Sequence, residues 1–313
     1  MRHVLPASVE TCHWGYFDAE APPALTIASG DVVEVETLSG GPEVLPPEGF
    51  QVPAALRDIH ARSARPLPGH ILTGPIAVEG AAPGDALEVR LRDIRLGQDW
   101  GWNFSRPLVG ALPERFTETH LLHLPLDAQT GVARLPWGDA LPLAPFFGVI
   151  GTAPPPGWGR VTSLVPRAFG GNLDLKELVA GATLWLPVFT PGGLLSLGDG
   201  HAAQGDGEVN VTAIETALTG EIEVILHKGA ALPGPRAETP THLIEIGLDP
   251  SLDQAAKKAL SSLIDRVSDL TGLAAEDAYA LCSMSADLRV TQVVNGEKGV
   301  HAMLHRDRLA FAA

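Results

Sequence analysis

The chain has 313 residues, 45% hydrophobic and 19% charged, which describes a globular protein with a sizeable core and excludes a disordered one. A formal charge of −15 argues against a nucleic-acid partner, because phosphate binding needs concentrated lysine and arginine. Cys12 and Cys282 are too few for a disulfide framework and point to a cytosolic compartment, and no apolar run approaches the roughly 20 residues of a membrane helix.

High glycine and proline content favours many short strands joined by tight turns. In chain order, Leu25–Ala28 and Val32–Thr37 read as strands about a Ser29-Gly30-Asp31 turn, with His13-Trp14 just ahead. A Pro/Gly-rich connection from Ser39 to Pro68 holds a short helical candidate, Ala54 to Arg62. His70 leaves that connection and enters a strand that runs to Gly80, and Leu87–Ile94 alternates like a half-buried strand. Trp100, Trp102 and Phe104 form an aromatic cluster suited to line a pocket or plug a barrel end. His120 and His123 alternate with leucines and read as structural strand residues.

From Pro145 the chain carries strands with glycines for close approach, then Gly170-Gly171-Asn172-Leu173-Asp174, then a strand-like run at Gly181–Thr190. Beyond Glu215 come strands at Ile222–Leu226 and Thr241–Gly247. The clearest helix follows, Leu252 to Leu270, with an apolar stripe of Leu252, Ala256, Leu260, Leu263, Ile264 and Val267. Asp249-Pro250 supplies its expected N-terminal cap and Gly272 its end. A second helix near Ala274–Ser283, a strand at Leu288–Val294, an Asn295-Gly296 turn and a strand at Val300–Leu304 complete the chain. The expected architecture is mainly β, sandwich- or barrel-like over 1–225, with an α+β portion over 226–313 that can pack with it as one unit.

The densest chemistry lies in Gly198-Asp199-Gly200-His201-Ala202-Ala203-Gln204-Gly205-Asp206-Gly207-Glu208, slung between apolar flanks. In extended chain residues two apart share a face, so Asp199 pairs with His201 and Asp206 with Glu208. Two such pairs together suit a divalent cation held by carboxylates and imidazole, or a general base beside a proton donor. A serine-hydrolase elbow, a P-loop, an EF-hand and a dinucleotide fingerprint are all absent from the sequence.

These runs resemble the acetamidase/formamidase family. The likeness rests on His70-Ile71-Leu72-Thr73-Gly74-Pro75, Val78 to Asp85, Gly170 to Asp174, Gly198 to Glu208, Ala286 to Gln292 and Val294-Asn295-Gly296. It implies hydrolysis of a short aliphatic amide to carboxylate and ammonia, a mainly β fold and cytoplasmic homo-oligomers, with no membrane partner. The favoured reading makes Asp174, Asp199 and His201 ligands of a divalent metal, zinc or calcium, with His70 nearby. Glu208 is then the general base, and Gln204 or Asn172 bonds the substrate amide. A metal-free pair, Asp206 and Glu208, is the second reading, and a cation- or sugar-binding β-module without activity is the third. Trp100, Trp102, Phe146, Phe147 and Trp185 are the bulky residues nearest the acidic motifs along the chain, and if even two of them wall the pocket, little room remains beyond a carbonyl and a methyl group.

Overall fold

Alternation along the strand Asp31–Thr37 buries Val33 and Val35 and turns Glu34 and Glu36 outward, and Leu218–His227 follows the same rule. These two pair antiparallel within a nine-stranded sheet. Its order is Arg2–Leu5, Asp31–Thr37, Leu218–His227, Ala86–Leu96, Thr183–Pro187, Arg236–Glu238, His242–Asp249, Lys298–His305 and Ala286–Gln292. The boundary expected between 225 and 226 therefore falls inside a strand, and one unbroken sheet joins the two regions. The computed structural model describes residues 1–312, in which strands far outweigh helices. Among them no helix is long and apolar enough to cross a membrane.

A second, eleven-stranded sheet has Leu195–His201 at its centre, paired with Phe146–Gly151, Ile71–Val78 and Glu215–Thr216. Every residue of Leu195–His201 is buried. The largest core cluster draws on both sheets, with Val33, Leu87, Val89 and Ile222 from the first and Ile76, Phe146, Phe147 and Leu197 from the second.

Helix α1 spans Ala54–Arg62, as the sequence indicates, and buries Leu56 and Ile59. Helices α2 (Leu252–Thr271) and α3 (Ala275–Ser285) close a smaller core over the last strands. The face of α2 against the sheet is Ala255, Ala259, Leu263 and Val267, one step round from the expected stripe. Close approach explains the shift: a Cβ on Gly247 would lie 2.0 Å from the Ala255 carbonyl oxygen. Only small residues fit at that distance. Ser251, not Asp249, occupies the N-terminal cap, and Asp249 instead accepts the Ser251 N–H at 2.8 Å. Gly272 ends the helix in the left-handed conformation.

His123 sits in the strand His120–Asp127 and bonds the Val44 carbonyl at 2.9 Å, while His120 is exposed. His13 bonds Ser196 Oγ through Nε2 at 3.0 Å.

Candidate active site

The central strand delivers Asp199 and His201 to one place, as period-two alternation requires: Asp199 Oδ2 lies 3.4 Å from His201 Nε2. Asp174 arrives from the segment after Gly170–Asn172, its N–H bonded to the Gly148 carbonyl at 3.1 Å. Its Oδ1 stands 4.0 Å from His201 Nε2. Strand pairing sets Glu215 opposite His201, with Oε1 3.3 Å from the same nitrogen. Donor atoms of Asp174, His201 and Glu208 lie within 4.8 Å of one another, as do those of Asp199, His201 and Glu215. His70 Nε2 closes the group, 3.5 Å from Asp199 Oδ2.

Backbone conformation marks the same residues. Asp174, Asp199 and Glu208 have φ of 50°, 55° and 45°, a left-handed region that side-chain-bearing residues seldom enter. Strain of this kind persists only where the surroundings impose it. Gly148 supplies the space in front of the cluster. A Cβ there would fall 2.6 Å from Asp174 Oδ1, 2.8 Å from His201 Cε1 and 2.9 Å from Asp199 Oδ2.

Gln204 fixes the imidazole. Its Nε2 donates to the Asp174 carbonyl at 2.8 Å, which can only accept, so its Oε1 must face His201 Nδ1 at 2.9 Å. Nδ1 is then the donor, and Nε2 points at the carboxylates. Phe146 packs edge-on against the ring, 5.0 Å between centroids.

Four buried carboxylates cannot all ionise without a counter-charge. Burial pushes Asp174 up to about 6 and Glu215 to about 8. Burial, aided by the Asp174 charge, holds Glu208 well above the usual carboxylate range. For Asp199 burial also opposes charge, but the His70 and His201 imidazoles outweigh it and hold the carboxyl below that range. Burial opposes a charged His201 as well, yet Glu215 and Asp199 prevail and keep its proton on far above the usual imidazole value. The field that retains that proton is one that attracts a cation.

The donor set fits a divalent cation. Asp174 Oδ1, His201 Nε2 and Glu208 Oε2 are buried without hydrogen-bond partners, and Gly148 leaves the space before Asp174, His201 and Asp199 clear of side chain. One imidazole nitrogen among carboxylate oxygens is a set that such ions accept.

A cavity of about 180 Å³ opens onto Asp199, Glu215, His70, Asn172 and Asn295. Asn172 donates to the Leu164 carbonyl at 3.0 Å and keeps Oδ1 unpartnered. A larger hollow of about 640 Å³ lies between α2 and the segment 231–236, lined by none of the cluster residues. The smaller cavity is the one placed for chemistry, because Asp199 and Glu215 of the buried cluster line it.

Two expectations need correction. Asp206 does not pair with Glu208; it is held by Arg289 at 2.6 and 2.9 Å and by Lys176 at 3.0 Å, outside the buried cluster. The chain turns between the two, with the Glu208 N–H bonded to the Gly205 carbonyl at 3.3 Å, so extended-chain spacing fails there. The carboxylate facing Glu208 is Asp174 instead. Nor do two of the five aromatics wall the cavity. Trp102 lines the cavity, whereas Phe147 points into the inter-sheet core against Gly220 and Trp185 lies in the nine-stranded sheet beside His227.

Glu215 and Asn295 were not legible as site residues. Asn295 Nδ2 donates to Asp174 Oδ2 from the turn after Ala286–Gln292. That same turn clips the loop carrying Glu208: the Gly207 N–H donates to the Thr291 carbonyl at 3.1 Å, and the Val293 N–H to the Gly207 carbonyl at 3.1 Å.

A mainly β chain with a buried carboxylate–imidazole centre under a small cavity has the make-up of an acid–base or metal-assisted enzyme. The chain belongs to the acetamidase/formamidase family, whose model matches residues 8–157 and 159–304. It is 31% identical over 211 residues to a formamidase of Methylophilus methylotrophus, covering 51% of this chain and 52% of that protein. With an acetamidase of Mycolicibacterium smegmatis it shares 30% over 221 residues, 52% of this chain and 54% of the other. The match thus spans about half the length of these relatives. The crystal structure of an acetamidase from Bacillus halodurans superposes with a TM-score of 0.86 at 32% identity, covering 99% of each chain.

Proposed function

We propose that this chain hydrolyses short aliphatic amides to carboxylate and ammonia in the cavity above Asp199 and Glu215, with a divalent cation held by Asp174, Asp199, His201 and Glu208. The observation that carries the reading is that donor atoms of Asp174, His201 and Glu208 lie within 4.8 Å of one another and include buried atoms without partners, beside the space that Gly148 leaves open. A divalent cation bound there polarises an amide carbonyl and lowers the pKa of water.

The remaining work falls to side chains on the cavity. Glu208, expected as the base, does not line the cavity; Glu215 does, and takes that role in this reading. With a cation's charge beside it drawing its carboxyl down from about 8, it would remove the proton from the attacking water and return it to the leaving nitrogen, which departs only when protonated. Asn172 Oδ1 accepts an amide N–H of the substrate, and His70 steadies Asp199. Gln204 acts one step back, by holding the His201 tautomer. Zinc and calcium are the ions to be measured.

The test is ammonia release from acetamide and formamide before and after chelation, with elemental analysis of the same samples. Activity lost on chelation and restored by one ion supports the reading, and full activity at zero metal removes the cation from it. Glu215→Gln is expected to keep its metal while turnover falls about 10²-fold or more, the size of a lost acid–base group. Equal turnover in a folded, metal-loaded Glu215→Gln protein returns the role to another carboxylate.

A further inference from the structure

We infer that the preferred substrate carries a carboxylate beyond its amide: a half-amide of a short dicarboxylic acid, of the size of succinamate. The inference rests on the amide-hydrolysis reading and narrows it.

The cavity is electrically two-ended. Its floor holds Asp199 and Glu215, while Arg65 and Arg106 stand among the residues that line it farther out. Each guanidinium is laid on an aromatic ring of the same lining, Arg65 at 4.9 Å from the Trp14 centroid and Arg106 at 5.4 Å from that of Phe104. Stacking restrains the fork and leaves its N–H edge free for a carboxylate. Among the described residues neither has an ion-pair or hydrogen-bond partner. Both are exposed and, like Arg57 and Arg115, carry no salt bridge, whereas Arg2, Arg90 and Arg95 are held by neighbouring glutamates.

Trp102 belongs to the same lining. It is only 9% exposed, and its indole Nε1 is buried without a partner. A buried indole N–H ordinarily finds an acceptor, and leaving it unmet is costly.

Volume agrees. At about 30 Å³ per water, a cavity of about 180 Å³ has room for about six water-sized groups. Acetamide seated at the floor leaves the outer part empty and gains nothing from either arginine. A chain with two methylenes and a terminal carboxylate reaches further, toward the arginines of the lining, where charge-assisted hydrogen bonds are on offer.

The experiment compares kcat/KM for succinamate with that for 4-oxopentanamide, a neutral amide of the same length and shape. Wild type, Arg65→Gln, Arg106→Gln, the double variant and Arg115→Gln are measured alike. Arg115 also stacks on a ring, Phe116, but lies outside the cavity lining, so it controls for general loss of positive charge. Wild type is expected to favour succinamate tenfold or more, the preference to vanish in the double variant, and Arg115→Gln to keep it. Equal kcat/KM for the two amides in wild type, or a preference that survives in the double variant, overturns the inference. If neither amide is hydrolysed, the amidase reading is what fails. Calorimetric binding of succinamate then decides the anion site alone: a Kd weakened tenfold or more in the double variant supports it, and an unchanged Kd or no binding overturns it.

Discussion

Gly148→Ala isolates the centre with a single methyl group. The added Cβ meets Asp174 Oδ1 at 2.6 Å, His201 Cε1 at 2.8 Å and Asp199 Oδ2 at 2.9 Å, against an ordinary contact that begins near 3.4 Å. Those atoms must therefore retreat by about 0.5 to 0.8 Å, because interiors hold almost no spare volume. Two of them are tips of short carboxylate side chains, and a small rotation of each relieves most of the clash. The fold thus loses no more than the usual overpacking penalty of about 1–3 kcal/mol. Function has no such relief. Asp174 is fixed through Asn295 and His201 through Gln204, so displaced tips no longer share one meeting point with the imidazole. A misplacement approaching 1 Å is enough to cost about 10²-fold in rate. We expect a folded protein with a slightly lower Tm, sub-stoichiometric metal and ammonia release reduced about 10²-fold. Melting with and without chelator gives the internal control, since the shift seen in wild type should shrink in the variant. Gly148→Ala with full metal content and wild-type turnover would refute the reasoning, because the space it fills would then be idle.

Two further outcomes follow from groups near the centre. Asp206→Asn removes a charge that Arg289 and Lys176 already hold outside the cluster, so turnover should stay within about fivefold and stability within about 1 kcal/mol; a fall of 10² in kcat would restore the acid–base role expected from sequence. Burial holds the His13 imidazole down at about 4 from its usual 6.5. As pH falls the unfolded chain takes up that proton first. Stability present above 6.5 is therefore lost progressively toward about 4, by at most about 3 kcal/mol. His13→Gln should flatten that part of the profile, and urea midpoints at a series of pH values that fall equally in both proteins would contradict it.

What could be read from the sequence was local. The helix Ala54–Arg62 and the shared face of Asp199 and His201 depend only on neighbours along the chain, and period-two or period-3.6 spacing is enough to find them. Glu215 was missed because its place depends on strand register: it pairs across from His201, and nothing near it in the chain says so. Its one local sign was a lone charge in the otherwise uncharged run Val211 to Leu218. Asn295 read as a turn residue, which it also is; its bond to Asp174 spans 121 positions. Asp206 and Glu208 show the opposite failure, where a sound spacing rule was applied across a turn. The direction in which Phe147 and Trp185 point was likewise a matter of which sheet face was buried, not of their distance from the acidic motifs.

The clip between the turn at 291–295 and the loop at 207 bears on the order in which the molecule is made. A ribosome releases Asp174, Asp199, His201, Glu208 and Glu215 well before it reaches Asn295. Until then Gly207 lacks both of its backbone partners from Thr291 and Val293, and Asp174 lacks its side-chain donor. The nascent chain therefore carries its acidic residues in a half-built state, open on the side that the last strands later cover. Domains generally fold as units as they emerge. Here the centre is not the property of any early unit, and it is sealed only once residues 291–295 have been made.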